Sequence, residues 1–241
     1  MKGGSLRTRR RAPLPAVETP GLHPALLAGL APGDAARLLR DARPHRYSRG
    51  DVVFHEGDRG DELHLIEQGL FAVRVTTERG DVAVLAVLVP GEVFGELALL
   101  RADSTRTATI VAVEAGTTRT VSREEFLDLR HAHPEVADEL LTIVADKVAR
   151  YTGRLMEALY VPAEQRVLRR LLELSDTYVA TSAPGVDAST IHLRQDDLAG
   201  MAGTSRATVN RVLRREEERG SITIGRGRLT VHDRDALEER T

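Results

Sequence analysis

One continuous apolar stripe between Pro134 and Pro162 constrains this chain more than any other feature. Leu140, Val144, Val148, Tyr151, Leu155 and Leu159 recur at intervals of four or three, the period of an α-helix with one apolar side. The spacing predicts a helix opened by Pro134 and running to about Tyr160. Pro162 ends it, because proline lacks the amide donor and clashes with the preceding turn. So long a stripe must be covered. Packing against the same helix of a second subunit is the economical solution; packing only on its own domain is the alternative.

The helix divides two textures. From Arg46 to about Val121, short β-branched runs alternate with turn residues: Asp51–Phe54 before Glu56-Gly57-Asp58, Glu62–Ile66 before Gln68-Gly69, and Phe71–Val75 before Arg79-Gly80-Asp81. Val82–Val89, Thr107–Val113 and Thr117–Val121 follow, with a short helical cluster at Gly95–Leu100. Evenly spaced strands closed by glycine turns argue for an antiparallel β-roll or barrel. After Pro162 the period is helical: Val167, Leu168, Leu171, Leu172 and Leu174, then a polar loop at Ala180–Ser189. Gln195–Met201, Ser205–Glu218 and the pair Ile222–Ile224 / Leu229–Val231 have the order of a winged helix-turn-helix.

The expected fold is therefore α+β in four parts. They are a basic tail (1–20), a roll with its leading helices (21–134), a dimerisation helix (135–160) and a winged helix-turn-helix (161–241). At 241 residues two domains are natural. Leu26, Leu27, Leu30, Leu38 and Leu39 predict two helical pieces broken near Pro32-Gly33. The tail, with Arg9, Arg10 and Arg11 adjacent, reads as a disordered segment or, less simply, a phosphate-binding arm.

Composition excludes several chemistries. Cysteine is absent, which removes disulfides, thiolate metal sites and cysteine nucleophiles and fits a reducing cytoplasm. No apolar run approaches the roughly 18 residues that span a bilayer, and the N-terminus lacks a secretory apolar core. No membrane partner and no metal are expected. Formal net charge is −2, so a nucleic-acid surface has to be local.

Such a surface is present. Ala199 lets two helices cross closely, Gly203 permits a left-handed turn, and Thr204 or Ser205 can cap the next helix. That helix presents Arg206, Asn210, Arg211, Arg214 and Arg215, with no acid from Thr204 to Arg215. Arg206 suits a bidentate pair with guanine and Asn210 one with adenine; Ser205, Thr208 and the wing arginines, Arg226 among them, suit phosphates. The bland alternative is a solvated helix face.

In the first half, Phe94–Leu100 followed by Arg106-Thr107-Ala108-Thr109 is the most specific feature. A short helix starting at Glu96 turns free amides outward, Gly95 permits close approach, and Arg106 can return on the next strand to neutralise a phosphate. Glu96 can accept from a sugar hydroxyl, and Thr107 can donate to a phosphate or a base edge. A structural Glu96–Arg106 ion pair is the competing account.

From about Arg46 to the C-terminus the chain resembles the catabolite activator (CRP/FNR) family of transcription factors. Phe94–Leu100 plus Arg106-Thr107-Ala108 resembles its phosphate-binding cassette. Phe54–Asp58 and Leu63–Gly69 resemble its roll strands, and Ser205–Arg211 its recognition helix. The resemblance implies a homodimer that binds a cyclic nucleotide at the roll–helix junction and double-stranded DNA at a palindromic site, with RNA polymerase as a partner of an activator. By position, Gly95, Glu96, Leu97 and Ala98 would hold ribose and phosphate, Arg106 and Thr107 the phosphate, and Tyr151 and Thr152 the base. Arg206 and Arg211 fall on DNA-contacting arginines. Four positions bear on this. Thr105 replaces a common proline, and Tyr151 is bulkier than usual. Ala207 stands where many members carry a base-reading glutamate. Thr107 resembles cyclic-GMP-preferring domains, although cyclic AMP is the favoured effector here.

Rival functions are weaker. The eight histidines form no catalytic or metal-spaced set, so no enzyme is expected. An iron–sulfur sensor fails on the missing cysteines, and a haem sensor is disfavoured by the Glu96/Arg106 pair. A regulator whose cassette is purely structural remains the main alternative, with Tyr151 its best support.

Overall fold

The computed structural model describes residues 25–100, 105–181 and 190–241. The Met1–Pro20 tail and most of the expected Ala180–Ser189 loop lie outside these residues; Ala180 and Thr181 finish a helix.

Two four-stranded antiparallel sheets form the roll. One has the order β1 (Arg43–Tyr47), β8 (Gly116–Ser122), β3 (Glu62–Gln68), β6 (Val93–Phe94). The other has the order β2 (Val52–Phe54), β7 (Thr109–Ala112), β4 (Phe71–Thr76), β5 (Val82–Leu88). Between them Ile66, Phe71, Leu88, Phe94 and Ile110 form an apolar core. The expected Thr107–Val113 strand is shorter, and Arg106 precedes β7 rather than lying on it. Strand β1 escaped the sequence pattern because its side chains are almost all exposed and polar, and register with β8 alone makes it a strand.

Helices close the outer side. A 3-10 turn (Ala25–Leu27), α1 (Pro32–Asp41), α3 (Arg123–Ala132) and the start of α4 (Glu135–Tyr160) share a second core with Leu63, Leu65, Val93 and Val121. Pro32 opens α1, where its missing N–H costs nothing, rather than merely breaking a helix. Ser122 and Glu125 form a reciprocal capping box at α3. The short helix α2 (Glu96–Leu100) follows β6.

The register of α4 corrects the expected stripe. Val136 and Leu140 are buried in the chain's own roll and Val144 is partly so. The exposed apolar series keeps Val148, Leu155 and Leu159 of that stripe but begins at Leu141, and the four are each about 60–70 % exposed. With Ala145 and Thr152 they are spaced four and three alternately, the pattern of a coiled-coil seam.

Beyond Val161, α5 (Ala163–Thr181), α6 (Gln195–Ala202), α7 (Arg206–Glu218) and α8 (Arg234–Glu238) surround a small sheet of β10 (Ile222–Gly225), β11 (Arg228–Val231) and β9 (Thr190–Ile191). This unit is seated on the roll. Leu70, Ala72 and Val84 join Leu171, Leu198, Met201 and Val209 in one apolar cluster. Helix α6 approaches β5 so closely that a Cβ on Gly200 would lie 2.9 Å from the Val82 carbonyl oxygen. Beside it Arg74 of β4 forms an ion pair with Asp197.

Candidate nucleotide pocket and DNA-reading face

A cavity of about 330 Å³ opens between the roll and α4. Gly95, Glu96, Leu97, Ala98, Arg106, Thr107 and Tyr151 all line it. Thr152 does not: it points from the exposed side of α4 and donates to the Val148 carbonyl oxygen. Val73, Leu85 and Leu88 supply one apolar wall, and Val144 and Val148 of α4 another.

Arg106 is buried and held by three contacts. Its Nη1 donates to the carbonyl oxygens of Glu62 (2.8 Å) and Gly95 (3.1 Å), and its guanidinium lies 4.0 Å from the Phe54 ring centroid. Burial pulls its pKa below the usual arginine value, opposed chiefly by the charge of Glu62. Two glycines make this seat. A Cβ at Gly60 would fall 2.3 Å from Arg106 Nε, and one at Gly95 would fall 2.5 Å from Nη1. Gly95 also has φ +85°, which side-chain-bearing residues rarely adopt. Among the described residues, Arg106 Nε is buried and has no hydrogen-bond partner.

Glu96 does not pair with Arg106. Its Oε1 accepts from Lys147 Nζ at 2.9 Å, and the same ammonium donates to the Val93 carbonyl oxygen at 3.1 Å. Both side chains are well buried, so the expected alternative of a Glu96–Arg106 pair is replaced by a Glu96–Lys147 pair. Sequence reasoning missed Lys147, yet it left a signal. Lysine occurs only at positions 2 and 147, in a chain that otherwise uses arginine. Lys147 also lies three residues after Val144 and four before Tyr151, on the same face of α4. Tyr151 is half-buried at the rim, and burial raises its phenol pKa, keeping it neutral.

Behind the pocket His64 stacks on Phe94 at 4.6 Å, hydrogen-bonds Thr118 through Nδ1, and faces Glu62 at 3.5 Å. Burial holds its pKa below the usual histidine value, while the His64 contact holds Glu62 below the usual carboxylate range. Among the described residues no group of three potential metal ligands converges, and no helix is long and apolar enough to cross a membrane.

At the other end, α6 finishes at Gly203 in the left-handed conformation, and Ser205, not Thr204, caps α7 by accepting from the Thr208 amide at 3.2 Å. Arg206, Asn210 and Arg214 follow at intervals of four and are exposed, as are Ser205, Arg211 and the wing Arg226; Thr204 and Thr208 are partly covered. The face carries exposed ion pairs: Arg211 and Arg215 to Glu164, Arg214 to Glu217, and Arg206 to Asp196. Arg194, not singled out from the sequence, shares a groove with Arg206, Arg226 and Arg228; its place immediately before α6 was the available signal. Arg49 of the roll reaches the wing tip, donating to the Gly227 carbonyl oxygen at 3.3 Å.

Known proteins fit this layout. The cyclic nucleotide-binding domain family matches residues 44–133, and the Crp-like helix-turn-helix domain family matches residues 165–240. The chain belongs to the CRP/FNR family of transcription regulators. It is 33% identical to the cyclic AMP receptor protein of Thermus thermophilus over 89% of this chain and 95% of that one. It is 26% identical to a CRP-like cAMP-activated global transcriptional regulator of Mycobacterium tuberculosis, with the same coverage. Among solved structures, the c-di-GMP responsive global regulator CLP of Xanthomonas campestris superposes with a TM-score of 0.72 at 20% identity, covering 83% of this chain and 98% of that one. The catabolite activator protein of Thermus thermophilus gives 0.51 at 33% identity, covering 89% and 97%. This CRP/FNR chain is thus a DNA-binding regulator with a cyclic-nucleotide-binding domain.

Proposed function

We propose that this CRP/FNR regulator is a cytoplasmic homodimer whose affinity for a palindromic double-stranded DNA site is set by cyclic AMP. One observation carries the proposal: the pocket beside Arg106 is walled by the same helix, α4, whose outer side carries the exposed seam. A mononucleotide suits a cavity of about 330 Å³, at the small end of ligand sites. Arg106, with its spare Nε donor, and Thr107 meet the phosphate. Gly95–Ala98 seat ribose and phosphate, Glu96 accepts from a ribose hydroxyl, and Tyr151 borders the base. Thr152 sits in the seam, so it meets a ligand only across a helix pair.

A ligand that joins the Arg106 side to Lys147 and Tyr151 favours one packing of the two α4 helices over another, a population shift. The favoured packing places the two α7 helices about 34 Å apart, in successive major grooves. As an activator the dimer also contacts RNA polymerase.

Calorimetric titration with cyclic AMP, cyclic GMP and cyclic di-GMP, alongside Arg106→Ala, tests the effector. Micromolar cyclic AMP binding that disappears in the variant is the expected result; tighter binding of another nucleotide would reassign it. Heat from none of them would favour a second reading, an effector-independent regulator. A specific feature supports that reading: Arg106 Nη1 and Glu96 already have partners within the chain.

A further inference from the structure

Helix α7 has no acid in its first turn, and position 207, beside the first helical arginine, is alanine. A carboxylate nevertheless reaches that arginine from the preceding helix. Asp196 Oδ2 lies 3.4 Å from Arg206 Nη1, and both side chains are more than 60 % exposed. They lie together in the groove that also holds Arg194, Arg226 and Arg228. The neighbouring acid, Asp197, is turned the other way to pair with Arg74 of β4. Two successive acids in the first turn of α6 thus serve two surfaces. Both complement the positive end of the α6 dipole, but that role does not account for the direction of Asp196 toward Arg206.

We infer that Asp196 is a positioning residue for base reading: it holds one edge of the Arg206 guanidinium so that the other edge faces a guanine. The inference rests on the assignment of α7 as the helix that enters the major groove. An unrestrained arginine carries large rotamer freedom that it gives up on docking, and a planar fork held on one side gives up less. The carboxylate also repels phosphates. It therefore weakens binding to every sequence, and only at the site whose guanine satisfies the held Arg206 does a base contact offset that cost.

The test begins by selecting a site from randomised duplexes with the wild-type protein, then measuring affinities over a salt series. The probes are the selected duplex, versions with each half-site guanine replaced, and an unrelated duplex. Arg206→Ala is expected to lower the ratio of specific to unrelated affinity about tenfold or more. Asp196→Asn is expected to lower it about threefold to fivefold, as fits an exposed pair, and to tighten binding to the unrelated duplex. Placed in the Arg206→Ala background, Asp196→Asn should change the ratio no further. If Asp196→Asn shifts only the melting temperature, Asp196 is a helix-end charge and the inference is overturned. If Arg206→Ala leaves the ratio unchanged, or no site is selected, the base-reading assignment itself falls and takes the inference with it.

Discussion

The nucleotide pocket and the DNA-reading face both depend on arginine, but they hold it under opposite physical conditions. Arg106 is buried, seated by two carbonyl oxygens and a ring face, and surrounded by glycines that leave room for it and nothing larger. Arg206, Arg211 and Arg214 stand in solvent, each in an ion pair that water and salt weaken. The buried site is thereby coupled to the stability of the fold. The exposed face is free to exchange its internal carboxylates for phosphates and bases. A regulator needs both kinds: one region whose occupancy alters packing, and one whose charge is available to a polyanion.

The comparison breaks most sharply at Lys147. Lys147→Met leaves Glu96 buried without its cation and is expected to cost about 3 kcal/mol in chemical denaturation. A loss under about 1 kcal/mol would mean that the pocket is wetter and looser than described. The junction between the two regions comes next. Gly200→Val thrusts methyl groups at Val82 and Val84, with an expected cost of about 2 kcal/mol. Calorimetric unfolding should then divide into two transitions, because α6 is the element that seats the C-terminal unit on β5. An unaltered single transition would show that the seat is dispensable.

On the exposed face the signature reverses. Arg211→Ala should leave the thermal midpoint unchanged but reduce the slope of log affinity against log salt by about one, the loss of one phosphate contact. A fall in stability without a change in slope would make Arg211 a structural residue.

The smallest effect concerns His64. Its folded pKa is depressed by burial, so as pH falls below about 6.5 the unfolded chain takes up a proton that the folded chain refuses, and stability is lost. His64→Phe keeps a ring against Phe94 and should flatten the stability profile between about pH 6.5 and 5 by up to about 1 kcal/mol. Identical slopes in the two proteins would place that titration elsewhere.

Periodicity and local chemistry made much of this legible from the residues alone. The glycine-closed β-branched runs marked most roll strands. A cap at Thr204 or Ser205 and the Gly203 turn marked the helix-turn-helix, and Gly95 to Thr107 marked the pocket, because backbone conformation and helix ends are decided by neighbours in sequence. What depended on distant neighbours was not legible. Strand β1 exists because β8 lies beside it, and the seam of α4 starts at Leu141 rather than Leu140 because the roll has already covered Leu140. Glu96 is paired with Lys147, 51 residues away, rather than with Arg106 ten residues on. The acid beside Arg206 comes from a different helix. Sequence determined most of the elements and which side chains carry charge; tertiary structure added strand β1 and chose the partners of those charges, because strand pairing, ion pairs and buried faces follow distance in space and not along the chain.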